Sequence, residues 1–383
     1  MLYSVENFSF PNVSESETTP FIRVFFPKSI LGATMSICLV GGEGFIGKAV
    51  QKDLHSHSRP YQVFDSLDPK IHGSAARNSV NSCMKVDFRE ISVVRNISFK
   101  EFDEVFFLVA ETSTGNSLEE MRLHIETGLI SIANMLRVFD EQQYRPKRIM
   151  LTSSRAVYGE GMHLNSSGRL EPNPTRTLSF LERGLWENSP SKYFVAHNPS
   201  LTPNPVSVYG EIKLAQERLM TRWCEARNIK LDIYRLQNVV GPGQTSKNPY
   251  TGFLTQFIKI ALEGGEIELY EEGGVVRDLV HVDDVARAIC CTGKNFFGTS
   301  IYDIGSGIPI TLETIAKNVV SRNPGARICS TRKFRLGDVR RAYANISFAK
   351  STLEWEPRYN LDRILFDAES WIVGELRIGF TID

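Results

Sequence analysis

Residues 36–47, SICLVGGEGFIG, constrain this chain more than any other stretch. A short apolar run, Ile37 to Val40, passes directly into Gly41-Gly42-Glu43-Gly44. An amphipathic stretch, Phe45 to Leu54, then follows. An apolar run without polar alternation reads as a strand buried on both faces, and the stretch after the glycines reads as a helix. The same alternation continues along the chain. YQVFD (61–65), CMKVDF (83–88), EVFFLVA (104–110), RIMLTSS (148–154) and KLDIYRLQNVVG (230–241) read as further strands. Residues 118–140 and 206–228 read as helices. Continuous apolar strands separated by helices predict an α/β fold with a doubly wound parallel sheet.

Between Gly159 and Pro205 the chain is rich in Asn, Ser and Pro, which predicts an insertion or lid at about 160–205. After Gly241 the alternation loosens, as expected of a smaller second lobe. Residues 1–34 read as an extension of low order before the first true strand, and Met35 would serve as an alternative start.

Composition narrows the partners. The 44 basic and 44 acidic residues cancel, so no general electrostatic reason points to nucleic acid or an anionic membrane. No apolar run approaches the roughly 20 residues that span a bilayer. Nor does the start look like a secretory signal. The six cysteines are scattered without a CxxC pair, which suits buried free thiols in a reducing cytoplasm. His55 and His57, two apart, do not share a helix face, so no metal site is expected.

The glycine loop lies between a strand and a helix, where backbone N–H groups and the helix dipole favour a phosphate. Gly41 permits the turn, Gly44 lets the backbone approach a pyrophosphate, and Gly47 lets the helix pack on the sheet. A glycine cluster can also be only a turn. Asp65, ending the second strand about 20 residues on, adds a carboxylate for the ribose hydroxyls. No arginine follows it at once, which favours NAD over NADP. Asp87, ending the third strand, is a candidate for the adenine, or simply begins a turn.

Tyr209 and Lys213, four apart, share one helix face. An ammonium beside a phenol favours the tyrosinate, so Tyr209 could act as a base; the competing reading is a solvated helix face. Ser154, Arg155 and Ala156 stand at the end of the 148–154 strand, and strand ends are where α/β proteins meet ligands.

These pieces in this order resemble an extended short-chain dehydrogenase/reductase of the nucleotide-sugar epimerase/dehydratase kind. The matching stretches are GGEGFIG, VDFRE, FFLVAE, TSSRAVYG, YGEIK, RLQNVVGPGQ, VVRDLVHVDDVARAI and RLGDVRRAYANISFAKSTLEWEP, within residues 36–366. SSRAVYGEG, GPGQTSKNPYTGFL and the long insertion are most similar to its dTDP-L-rhamnose 4-epimerase-like branch. Relatives there carry paired cysteines in the insertion, and none stands between residues 160 and 205 here.

The resemblance implies a Rossmann-type NAD-binding domain over 35–240 with the insertion, and a mainly substrate-binding lobe over 241–383, from which about 276–295 return to the first domain. It assigns Ser154, Tyr209 and Lys213 as catalytic hydroxyl, base and supporting cation. Gly41, Gly44, Phe45, Ile46, Gly47, Asp65 and Asp87, with Tyr209 and Lys213, would hold NAD. Asn238, Arg277, Arg335 and Asp338 would hold a nucleotide-diphosphate sugar. Arginine suits that anion because its planar fork can bind two oxygens; on residue type alone, Arg277 and Arg335 would read as surface ion pairs.

Dehydrating relatives place Asp-Glu directly after the catalytic hydroxyl, and decarboxylating ones also use a glutamate there. Arg155 and Ala156 cannot do either job. The implied reaction is therefore oxidation at C4 and return to the opposite face, a 4-epimerase. A 4-ketoreductase or dehydrogenase, and a catalytically silent binding protein, are the alternatives. His124, where relatives carry asparagine, reads as a packing or surface residue in its helix. A homodimer through 118–140 and 206–226, and cell-surface polysaccharide synthesis on a dTDP-linked 6-deoxyhexose, are further implications.

Overall fold

A computed structural model describes residues 36–72, 83–111, 117–187, 193–245, 252–291 and 297–379; the 1–34 extension lies outside the described residues. Seven strands form the main sheet: β1 (Ile37–Val40), β2 (Tyr61–Asp65), β3 (Cys83–Lys85), β4 (Glu104–Phe107), β5 (Arg148–Ser154), β6 (Lys230–Leu236) and β7 (Thr299–Ile304). They run parallel in the order β7-β6-β5-β4-β1-β2-β3. Alternate side chains build two cores. Ile37, Leu39, Val63, Phe106 and Met150 face the helices Phe45–Ser56 and Val282–Cys290. Cys38, Val40, Phe64, Val105 and Phe107 face the helices Ser131–Glu141 and Val208–Glu225. Helices on both sides leave β1 completely buried, which is why its sequence shows no polar alternation. Winding reverses between β1 and β4, and that switch point opens a crevice at the strands' C-terminal ends.

A second lobe has its own core of Leu254, Phe257, Ile267, Ile315, Val319 and Leu365. The insertion folds into a three-stranded antiparallel sheet of Met162–Leu164, Leu170–Pro172 and Phe194–Val195. Buried Arg176 ties it down, donating to Glu160 at 2.9 Å and to Glu271 of the second lobe at 2.6 Å.

Two expected elements are broken, each for a visible reason. The 118–140 helix is Met121–Ile125, then a π-helical turn Glu126–Ile130, then Ser131–Glu141. At that turn a Cβ on Gly128 would stand 2.7 Å from Ile212 Cγ2, and Gln216 Nε2 donates to Gly128 O at 3.0 Å. The turn is therefore moulded to the helix that carries Tyr209. The 230–241 strand ends at Leu236. Asn238–Val240 leaves the sheet to pair with Leu279–His281, and Asn238 N donates to Asp278 O at 3.1 Å. β7 (TSIYDI) escapes the sequence reading, because its ends carry Thr, Ser and Asp.

Candidate active site

The glycine loop supplies the first half of the site. Gly41 has φ +80° and turns β1 into the loop. A Cβ on Gly47 would collide with Gly42 O at 2.3 Å, so only glycine lets the helix start this close to the loop. A Cβ on Gly44 would meet nothing nearer than Gly41 O at 3.5 Å, which leaves room beside the backbone there. The helix that follows has no side-chain cap and no acidic residue in its first turn, so its leading N–H groups and dipole stay available to an anion. Phe45 and Ile46 form its first two positions.

Asp65 ends β2, accepting from Glu43 N and Leu67 N at 3.0 Å each, with His72 Nε2 at 3.1 Å. Burial pushes its pKa up, but the His72 contact and the backbone donors outweigh that and hold it below the usual range. It is an ionised carboxylate beside the loop. Asp87 is gripped by Arg89 from two nitrogens, at 3.0 and 2.7 Å. An open cradle, a bare helix N-terminus and an ionised carboxylate fit a dinucleotide of the NAD kind.

The hydroxyl half forms at the end of β5. Ser154 Oγ accepts from Ala156 N at 3.2 Å and starts a 3-10 turn, Arg155–Tyr158. Ser207 Oγ caps the Tyr209 helix by accepting from Gly210 N at 3.1 Å. A Cβ on Gly210 would stand 2.7 Å from Ala156 O, so glycine lets the helix start press against the residues after Ser154. The Ser154 hydroxyl lies near enough to the Tyr209 phenol to favour its ionised form. One turn on, Lys213 is 3% exposed, with Nζ 6.0 Å from the Tyr209 ring centroid and donating to Thr152 O at 3.0 Å.

Burial brings Lys213 down to about 8, with the Glu217 charge opposing, so it remains an ammonium at pH 7. The expectation that such a cation would by itself lower the Tyr209 phenol meets a stronger effect here. Burial raises Tyr209, and the nearby Ser154 hydroxyl and the Arg155 charge work against it.

Several residues that sequence reasoning passed over belong here. His124 is the packing residue of the two readings offered for it, and what it packs against is Tyr209, edge-on with ring centroids 6.3 Å apart at 80°. The π turn directly after it shapes that helix where it meets the Tyr209 helix, and such turns frequently mark functional sites. Behind the trio, buried Glu217 accepts from Arg235 Nε at 2.9 Å and Nη2 at 2.7 Å, and from Ser153 Oγ. Arg235 Nη1 donates to Tyr158 O–H at 2.8 Å, and Tyr158 donates to Asp303 at 2.7 Å. Burial raises Asp303 to about 7. The one available signal was Glu217, a further helical turn along the Tyr209–Lys213 face.

The residues expected to hold an anion differ in exposure and partners. Arg277 is 5% exposed and forms no ion pair among the described residues; its Nη1 donates to Val276 O and Val339 O, each at 2.9 Å. Arg335 is exposed and stacks over Tyr270, 5.4 Å from the ring centroid. The Asp338 charge acts on both Arg277 and Arg155. Asn238 begins its short strand with Oδ1 buried and unpaired. No cluster that could hold a metal occurs among the described residues.

The sequence profile of the NAD dependent epimerase/dehydratase family matches residues 37–179 and 188–305. A dTDP-L-rhamnose 4-epimerase from Burkholderia thailandensis is 34% identical over 346 residues, covering 89% of this chain and 95% of that protein. A UDP-glucose 4-epimerase from Halalkalibacterium halodurans is 24% identical, covering 88% of this chain and 95% of that one. Among solved structures, UDP-glucose 4-epimerase from Thermus thermophilus in complex with NAD superposes with a TM-score of 0.69 at 22% identity, covering 89% of this chain and 99% of that one. At that identity the likeness speaks for the fold.

Proposed function

The chain belongs to the NAD dependent epimerase/dehydratase family, and we propose that it works there as a nucleotide-sugar 4-epimerase with Ser154, Tyr209 and Lys213 as its catalytic trio. The observation that carries this reading is the close approach of the Tyr209 helix start to the turn after Ser154, with Lys213 bonded to Thr152 of the same strand, where Arg155 and Ala156 supply no second acid/base pair. The relative that is 34% identical, a 4-epimerase by name, supports it.

When bound, NAD supplies the hydride acceptor and donor at the sugar C4. Gly41, Gly44, Phe45, Ile46 and Gly47 would seat its diphosphate, Asp65 would accept from ribose hydroxyls, and Asp87 would face the adenine. Tyr209 takes the proton from the C4 hydroxyl while Ser154 hydrogen-bonds the same oxygen. Lys213, charged below about pH 8, stabilises the tyrosinate. Burial makes ionisation of Tyr209 costly in water-like terms, so the cations beside it must supply the difference. For the second half-reaction Tyr209 returns the proton to the oxygen of the turned sugar. Asn238, Arg277, Arg335 and Asp338 would hold the nucleotide diphosphate throughout.

The preferred substrate on this reading is a dTDP-linked 6-deoxyhexose destined for cell-surface polysaccharide. Among the described residues no helix is long and apolar enough to cross a membrane. A cytoplasmic site of action goes with the proposed nucleotide-sugar substrate. The domain division at about residue 240, with 276–295 returning to the NAD domain, accords with the Val282–Cys290 helix packing in the β1 core. Met121, Ile125, Ile130 and Leu219 are exposed on the two long helices, which supports a homodimer there. Sedimentation should give twice the 43.2 kDa chain mass, and a monomer at micromolar concentration would refute that pairing.

Incubation with dTDP-, UDP-, GDP- and CDP-sugars, followed by NMR, should show inversion at C4 without added cofactor. Turnover that needs stoichiometric NADH or NAD would make the protein a reductase or dehydrogenase instead.

A further inference from the structure

Arg155 stands where the sequence reading saw only missing carboxylates, yet its surroundings are specific. It follows Ser154 at the head of the 3-10 turn and shares a small cavity with Ala156, Ser207, Gly337, Asp338 and Val339. Val339 is the residue whose carbonyl holds the Arg277 guanidinium at 2.9 Å. The Arg155 guanidinium donates no hydrogen bond and forms no ion pair among the described residues. It is half-buried, and its charge is opposed by that of Arg277 and favoured by Tyr209.

The nearby negative groups do not satisfy it. Asp278 is saturated by Ser306 N and Oγ, Gly307 N and Ala344 N. Glu160 and Glu271 are paired to Arg176. Asp338 alone is left to offset two guanidiniums. Buried His197, nearby, is held neutral by burial and by the charges of Arg155, Arg235 and Arg277, so it does not help. Two mutually repelling arginines with one shared counter-charge are costly to keep unless an anion joins them.

We propose that Arg155 is a substrate-binding residue that closes with Arg277 on the sugar-side phosphate of a nucleoside diphosphate sugar. The assignment to that phosphate follows from position. Tyr209 works at C4, and the anomeric oxygen with its phosphate lies across the hexose ring from C4, at the end this reading gives to Arg277. The inference rests on the 4-epimerase reading and explains a need of it. A 4-keto hexose must release its ring contacts to turn over, so the enzyme has to keep hold of the diphosphate meanwhile. A two-arginine fork supplies that pivot, and the small Ala156 side chain beside it leaves space for the hexose.

The experiment measures binding of UDP and dTDP, and of UMP and dTMP, to the NAD-loaded protein by calorimetry. Arg155→Met should weaken the better diphosphate by about tenfold or more. It should leave the monophosphates and the retained NAD unchanged, and Arg155→Lys should recover part of the loss. The free Met variant should melt no lower than the parent, because a repulsion has been removed. Equal diphosphate binding by parent and Arg155→Met overturns the clamp while leaving the epimerase reading intact. A parent that binds no nucleoside diphosphate overturns the substrate class, and the clamp with it.

Discussion

Tyr209→Phe should lower kcat on the order of 10²–10⁴-fold while leaving NAD content and nucleotide-sugar affinity close to those of the parent. Only the hydroxyl is removed. The ring keeps its edge contact with His124 and its place above Lys213, and Ser154 Oγ keeps the Ala156 N–H it accepts at 3.2 Å. Folding should therefore be untouched, which makes the loss a reading of proton transfer alone. A variant that retained a tenth or more of the parent rate would mean another group takes the C4 proton. His124 would then be the first to examine, since burial holds it neutral and able to accept. Kinetics with saturating substrate, together with the absorbance of released cofactor, separate a chemical defect from a binding defect.

The largest effect on stability should come from Arg235→Met. Arg235 is 2% exposed and serves both oxygens of Glu217, itself 3% exposed. Methionine has similar reach but no charge, so Glu217 would stay buried with only Ser153 donating to it. Leaving one partner of a buried pair uncompensated costs roughly 3–5 kcal/mol, a large part of an ordinary domain's stability. Denaturant melts should show that loss. They should also show most of it recovered in Arg235→Met/Glu217→Leu, because an apolar pair of similar volume restores a satisfied interior. If the single and double variants were equally destabilised, the cost would lie in packing against Tyr158, not in the orphaned charge. The pair matters beyond stability: Glu217 also raises Lys213, and Ser153 lies next to Ser154 in β5.

Sequence and structure divide the molecule along a physical line. The parallel sheet was legible because burial on two faces favours unbroken apolar runs, which β1, β4 and β5 carry in ICLV, VFF and IML, while Gln62, Asp232 and Arg235 interrupt β2 and β6. β7 hid behind polar ends, and the break after Leu236 was invisible because Asn238 leaves the sheet for a partner over 40 residues away. Residues set by local geometry were readable in the same way. A glycine at a positive φ or under a packed helix announces itself, as do two side chains four apart on a helix.

Electrostatic roles were not readable. The pKa of Tyr209 depends on burial and on Arg155, 54 positions earlier, and the state of Lys213 on how deeply it lies beneath β5. Charge acts through space, and burial multiplies it, so only the folded arrangement decides which cation serves which anion. From sequence alone came the α/β class, the glycine loop, Asp65, and the order of Ser154, Tyr209 and Lys213. The tertiary structure brought His124 against the tyrosine, wired Glu217 to Arg235, and set the Arg155 charge within the influence of Arg277 and Tyr209. Those contacts join residues distant in the chain, and no local pattern records them.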